Sequence, residues 1–397
     1  MAATTSSNPL QRLTPEQIEE IGQAFQEIHD DVYADLGERD ATYIRSIIEF
    51  HRRLGALSRI MLMASRYPPA LVLGTIGLST AKIVENMEIG HNVLHGQWDW
   101  MNDPSIHSST WDWDTASPAA AWKHSHNYVH HTYTNIVGKD KDVGYEIMRI
   151  DPRQKWYPFY LAQPFYNLLL MAFFEWGVAS HDLDFEAIRS GKKSKQQLRD
   201  ELKAMGVKAR RQIIKDYIAF PALSGRKGFK RTLKANFTAN IVRNLWSHAI
   251  IFCGHFPDQA YTFVEEDVKD ETRGGWYVRQ LLGAANIEGS PTFHFMSGNL
   301  SYQVEHHLFP DLPSSRYGEI APRVKDICER YDLPYNTGPF FAQIGQVQRT
   351  ILRLAFPGGK PRPKPGPYRG DDTEPAVQNG NGNGNGHHPG KSGSGPE

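Results

Sequence analysis

The residues most able to do chemistry in this chain are histidines, and their spacing is not random. His91 stands with His95, His126 with His130 and His131, and Gln303 is followed by His306 and His307. Imidazole is the commonest protein metal ligand. A set this large exceeds the needs of one ion, so two metals in one site is the economical reading. His91 and His95, like His126 and His130, are four residues apart. On a helix such a pair projects from one face and can close on a single ion. His130 and His131, like His306 and His307, lie about 100° apart around a helix, so the second of each pair reaches towards a neighbouring ion. One such group alone reads as a solvated pair. Three ordered groups, two of them ending in His-His, read as metal chemistry.

The segments themselves are His91-Asn-Val-Leu-His95, His126-Asn-Tyr-Val-His130-His131 and Gln303-Val-Glu-His306-His307-Leu-Phe-Pro310. In type and order they resemble the three histidine boxes of the integral-membrane fatty acid desaturases. The flanking segments 85–91, 251–257 and 311–316 are most similar to those of the actinobacterial acyl-CoA (stearoyl-CoA type) delta-9 desaturases. The resemblance covers roughly residues 10 to 355. It implies an all-α integral-membrane protein with about four transmembrane helices in two hairpins, and a cytosolic helical cap carrying a histidine-ligated di-iron site. It also implies two iron ions, dioxygen as cosubstrate, and a fatty acyl substrate carried as acyl-CoA or phospholipid. On this reading the protein is integral to the cell membrane, and its active site faces the cytoplasm.

Within that resemblance the ligand set can be counted. The boxes supply seven histidines and one glutamine, and two ions with about four ligands each need one more imidazole. His255, at the end of the apolar run from Asn244 to Pro257, is the candidate. Gln303 is a weaker donor than imidazole and has three open roles: binding directly, binding through water, or orienting His307. Glu85 and Glu88, just ahead of His91, are candidate ligands or hydrogen-bond partners behind the ligand histidines, with a position at the membrane boundary as the alternative. The glutamine form of the third box is common in front-end desaturases, so a linoleoyl-CoA type enzyme stands beside the delta-9 reading. A fatty acyl or lipid hydroxylase of the same superfamily is the further alternative. A soluble di-iron carboxylate enzyme needs paired Glu-x-x-His motifs, and only Glu88 to His91 fits.

Composition bounds the rest. The histidine groups span 91 to 307 and must converge, which argues for one catalytic unit within the 397 residues. Formal net charge is zero, so nothing points to nucleic acid. Cys253 and Cys328 offer no disulfide framework and suit a reducing compartment. No cleaved secretion signal is expected from Met1 to Leu10. No haem-binding, nucleotide-binding or iron–sulfur motif is present. Electrons for any oxidation must therefore come from a separate protein of the ferredoxin or flavin reductase type.

The positioning elements are less distinct. Only Tyr157 to Phe174 approaches the uncharged length of a spanning helix. Pro68 to Gly90 carries Lys82, Glu85 and Glu88, and Ala235 to Pro257 carries Arg243. The basic stretch 192–215 conflicts with a simple topology, because positive residues favour the cytoplasm. Thr14, Pro15 and Gln17 mark a capping-box start to an amphipathic helix with Ile18, Ile21, Phe25, Ile28 and Val32 on one face. A further helix is expected over 315–331, covering the metal site. The expected domains are an amphipathic region over 1–50, a membrane desaturase domain over 51–356, and a disordered Pro-, Gly- and Asn-rich tail over 357–397. Of the clustered tryptophans, Trp98 and Trp100 are expected to line the acyl channel because they follow His95 closely.

Overall fold

The structure, a computed structural model, describes residues 8–359 and 362–370. Its regular elements are helices, with one short parallel strand pairing of Asn286–Glu288 with Thr337–Pro339 and an isolated bridge between Ile136 and Phe263. The first helix, α1, runs Pro15–Ala34 and starts as its sequence dictates. The Thr14 hydroxyl accepts from the Gln17 N–H at 3.2 Å, and the Gln17 side chain accepts from the Thr14 N–H at 3.0 Å, so two of the helix's unpaired donors are satisfied. Its apolar face buries Ile21, Phe25 and Ile28 against the helix Arg273–Gly283 and the chain after the third histidine box. Phe25 meets the ring of Tyr277 at 5.5 Å and that of Phe309 at 6.3 Å. The expected helix over 315–331 is present as Tyr317–Arg330, entered through a 3-10 turn at Ser314–Arg316.

Long helices form the other half of the molecule. α2 runs Glu38–Met63, across the expected boundary at residue 50, and packs along α3, Pro68–Val84. The helix Gly225–His255 crosses α3 and ends at His255. Among the described residues, no helix is both long enough and apolar enough to cross a membrane. The expected apolar spans fail for identifiable reasons. α3 is apolar but has only 17 residues and carries Lys82 in its last turn. Tyr157 to Ala179 is broken into a 3-10 turn at Pro158–Ala162 and two short helices, Gln163–Ala172 and Phe174–His181, which meet at the non-helical Phe173. The long helix carries Arg226, Lys227, Lys230, Arg231, Lys234 and Arg243.

The buried charges on these helices are paired, as charges removed from water must be. Lys82 reaches Asp216 at 2.7 Å, Asp216 also takes Arg59 at 3.0 Å, and Arg243 pairs with Glu175. The tail also departs from expectation as far as it is described. The Tyr368 N–H donates to the Leu333 carbonyl at 2.9 Å, Lys364 to the Asp258 carbonyl at 2.8 Å, and Arg149 to the Gly358 carbonyl at 3.0 Å. Residues 357–359 and 362–370 are thus laid against the body by a few polar and aromatic anchors that composition does not weigh. The remainder of the tail, with His387 and His388, lies outside the described residues.

α1 sits where it does because two glycines permit it. A Cβ on Gly274 would lie 2.2 Å from the Ile18 carbonyl oxygen, and one on Gly22 would lie 2.7 Å from the Gly274 Cα. Backbone cannot yield as a flexible side chain can, so Gly274→Ala should destabilise by about 1–3 kcal/mol, the usual cost of overpacking. Gly345 sits in a helix with nothing within 4 Å of its Cβ position. Gly345→Ala should stabilise by about 0.5–1 kcal/mol by reducing unfolded-state entropy. Thermal midpoints of the two variants should move in opposite directions.

Candidate metal centre

The first two histidine boxes do not lie on plain α-helix. α3 passes into a π-helical turn at Glu85–His91 before Asn92–Leu94 resumes the α form, and a second π-helical segment, Lys123–His130, carries the middle box. Such wide turns cost hydrogen-bond geometry and are concentrated at functional sites. The third box lies on the short helix Gln303–Leu308. Gly90 has no room for a side chain, since a Cβ there would stand 2.9 Å from the Glu85 carbonyl oxygen and 3.0 Å from the Trp113 Cβ.

All eight histidines nominated from sequence come together. His91, His95, His126 and His306 form one group and His130, His255 and His307 another, the donor atoms within each group lying within 4.8 Å of one another. His131 stands between them, its ring 4.8 Å from that of His95, 5.0 Å from that of His306 and 4.6 Å from that of His307. Gln303 belongs to the second group, with its Nε2 3.2 Å from the His255 Nε2 and its oxygen buried and unpartnered. Gly254 makes space for it, because a Cβ there would lie 2.7 Å from the Gln303 side chain. Gln303 does not orient His307. That task falls to Gln280, whose Oε1 lies 2.9 Å from the His307 Nδ1.

The donor set fits metal ions. The Nε2 atoms of His95, His126, His130, His306 and His307, both nitrogens of His131, and the His255 Nδ1 are buried without any hydrogen-bond partner. Stranding one such group is costly, and stranding eight in one volume is sustainable only if something else satisfies them. Several ligand rings are held from behind by partners that sequence reasoning missed. Asp140 meets the His130 Nδ1 at 3.0 Å and accepts from the Asn135 N–H at 2.7 Å. Asp142 approaches the His126 Nδ1 at 3.5 Å and the His181 Nε2 at 2.9 Å. Asn92 meets the His91 Nδ1 at 3.0 Å while donating to the Glu88 and Gly298 carbonyls. Fixing one ring nitrogen sets the tautomer and aims the other. No periodicity marks Asp140, Asp142 or Gln280, and only the fold brings them in.

Two expectations are corrected here. The carboxylates of Glu85 and Glu88 support no histidine. Glu85 accepts from the Asp114 N–H at 2.7 Å, and Glu88 accepts from Tyr43 at 2.5 Å and Asn299 at 3.2 Å. Trp98 does not line a channel either. It is fully buried in a cluster with Ile44, Val84 and Val93, stacked on Tyr43. Trp100 also lies off the cavity that borders His91 and His126. That cavity is walled by Trp113 and Trp122 together with Met87, Phe174, Val178 and Ile251. Trp122 stacks on His126 at 4.6 Å and meets His91 and His95 edge-on. Its position four residues before His126 was the available signal.

Residues 66–339 match the profile of the fatty acid desaturase family. The chain belongs to that family. A protein from Mycobacterium tuberculosis described as NADPH-dependent stearoyl-CoA 9-desaturase is 47% identical over 358 residues, covering 89% of this chain and 84% of its own. The sn-1 linoleoyl-lipid 6-desaturase of Synechocystis is 24% identical over 282 residues, 69% of this chain and 77% of its own. The desaturase is therefore an oxidoreductase acting on acyl chains, and its histidine clusters are able to bind metal.

Two outcomes follow from the geometry. Burial first, and then mutual repulsion, push His95, His131, His306 and His307 well below the ordinary imidazole value of 6.5. In unfolded chain they titrate near that value. The unfolded state thus binds more protons as pH falls below 6.5, and the metal-free protein should lose stability progressively in that direction. His130 runs the other way: burial opposes its charge, but Asp140 and Asp142 outweigh burial and hold it up at about 9. Asp140→Ala should weaken metal binding about 10–100-fold, read as metal stoichiometry against free metal concentration. Unchanged occupancy would remove Asp140 from the site's support.

Proposed function

We propose that the desaturase introduces a cis double bond at the delta-9 position of a long-chain acyl-CoA, using two iron ions, dioxygen and an external electron donor. The observation that carries this reading is the convergence of eight imidazoles, seven of them with a buried nitrogen that has no hydrogen-bond partner, beside a cavity walled by Trp113 and Trp122. Unactivated methylene C–H bonds resist acid and base catalysis, so two iron ions held by the histidines would supply the oxidising chemistry, with dioxygen as cosubstrate. The chain's own residues position the substrate. Trp122, fixed against His126, forms one wall of the slot, and Trp113, whose indole N–H donates to the Ser117 carbonyl at 2.8 Å, forms another. Rigid aromatic walls restrict which carbons of a flexible chain can approach the site. The delta-9 position and the coenzyme A thioester are supported by the relative at 47% identity.

The location in this reading is the cell membrane, with the metal site on its cytoplasmic side. Large apolar side chains are exposed on α2 and α3, at Leu57, Ile60, Leu73 and Ile76, and on shorter helical segments at Phe165, Leu168, Ile218 and Leu223. Acyl chains of a bilayer would cover them. The donor in this reading is a separate protein of the ferredoxin or flavin reductase type, since the sequence carries no redox motif of its own.

Expression in a host lacking delta-9 activity, followed by gas chromatography and mass spectrometry of derivatised fatty acids, tests the reading. Wild type should form 9-alkenes from saturated chains, and His307→Ala should form none. A hydroxylated product, or a double bond at another position, would overturn it.

A further inference from the structure

Trp122 touches the candidate metal ligands, and it does not stand alone. Its ring stacks on His126 at 4.6 Å and meets His91 at 5.4 Å and His95 at 5.5 Å, both edge-on. The ring of Trp113 lies 5.0 Å from it. Trp111 packs against the cluster that Trp113 and Trp122 form with Leu94. It is only half-buried, and it borders an open groove between the 108–123 segment and the helix Lys195–Ile213. Three indoles thus run from the ligand rings to solvent. The other tryptophan rings in the molecule's aromatic clusters face elsewhere: Trp98 meets Tyr43, Trp246 meets Phe293 and Phe340, and Trp276 meets Tyr277.

Packing alone does not call for indoles here. A wall for an alkyl chain needs size and rigidity, which phenylalanine supplies. Indole differs in giving up one electron readily. Tyr145 borders the same cavity, but its ring contacts are Phe174, His181 and Phe252, none of them a candidate ligand. The indole N–H groups are also set for movement of electrons without protons. That of Trp113 is held by the Ser117 carbonyl, and that of Trp111 is buried with no partner. Neither meets a base able to take its proton once the ring is oxidised.

We propose that Trp122, Trp113 and Trp111 form an escape route for the oxidising equivalents left over when dioxygen is reduced with no acyl chain in place. This inference rests on the iron and dioxygen reading above. In the productive reaction dioxygen takes two electrons from the donor and two from the C–H bonds, giving two waters. Without the acyl chain the last two electrons leave Trp122, one at a time. Trp113 refills Trp122, Trp111 refills Trp113, and a low-molecular-weight thiol in the groove reduces Trp111. Two passages convert two thiols into one disulfide, releasing two protons that, with two more from solvent, complete the two waters. The route spares the ligand histidines and Met87, which lines the cavity and is itself open to oxidation.

The test uses the full-length protein in detergent, loaded with ferrous iron or, as control, with zinc, and treated with hydrogen peroxide in the absence of acyl substrate. Peptide mass spectrometry locates the added oxygen, and freeze-quench electron paramagnetic resonance detects indolyl radicals. With iron, a radical should appear and Trp111 should gain far more oxygen than with zinc. Trp156, also half-buried but outside the cluster, should gain the same with either metal. Glutathione should remove both the radical and the oxygen at Trp111. In Trp113→Phe the oxygen should be lost from Trp111 and appear at Trp122 or His126. Equal oxidation of Trp111 with iron and zinc overturns the proposal on wild type alone, as does an iron-dependent gain at Trp156 that matches the gain at Trp111. So does oxidation of Trp111 that persists in Trp113→Phe at wild-type iron content. Formation of 9-alkenes without iron-dependent oxidation at Trp111 overturns this inference alone. Iron-dependent oxidation at Trp111 in a protein that makes a hydroxylated lipid overturns the proposed function alone.

Discussion

Bare imidazole nitrogens enclosed in protein are the constraint around which this molecule is arranged. Each ring has two nitrogens, and in a buried site both must be accounted for. The fold assigns one side of several rings to protein partners: Asn92 to His91, Asp140 to His130, Gln280 to His307. Most of the remaining nitrogens converge unpaired. Folding such a site without its ions leaves a large desolvation cost, which ion binding would offset, so folding and metal loading are thermodynamically linked. The π-helical turns under the first two boxes belong to the same arrangement, since they re-aim side chains that an ordinary helix would space differently.

Polar pairing also explains why, among the described residues, no helix is long and apolar enough to cross a membrane. Lys82, Asp216 and Arg59 satisfy one another between helices, as do Arg243 and Glu175. Charges placed this way lower the hydropathy of every segment that carries them while pointing away from its outer face. Mean hydropathy adds these inward groups to the outward apolar ones and reports neither. The outward faces of α2 and α3, with Leu57, Ile60, Leu73 and Ile76 exposed, are what a lipid environment would meet.

The chemistry was more legible in the sequence than the scaffold. Box histidines announce themselves through four-residue spacing and adjacency, and His255 followed from the need for one more donor. Asp140, Asp142 and Gln280 did not, because each acts across a turn or between elements, with no pattern around it. Trp98 was misplaced by arguing from closeness along the chain. It follows His95, but the turn at Gly96, with φ of 81°, sends it back into the packing between α2 and α3. Trp122 lies one helical turn before His126 and stacks on it, so periodicity was the better guide. The α1 capping box and apolar stripe were read correctly because both are local. The lie of residues 357–359 and 362–370 was not, because a few anchors such as Tyr368 outweigh the composition around them.

Gln303 makes the two halves of the site unequal. One group is built from His91, His95, His126 and His306, whereas the other has three imidazoles and a neutral amide lying against His255. An amide oxygen is a harder and weaker donor than imidazole. Of two ions held here, the one beside Gln303 would have the poorer set of donors and the greater tendency to keep a position for another ligand. Gly254 shows that this asymmetry is accommodated by the scaffold, since the side chain of Gln303 occupies the space that any larger residue at 254 would fill. His131, with both nitrogens unpaired and its ring against members of both groups, stands where an imidazole could make up the deficit. The chemical difference between the two positions is thus set by one side chain, Gln303.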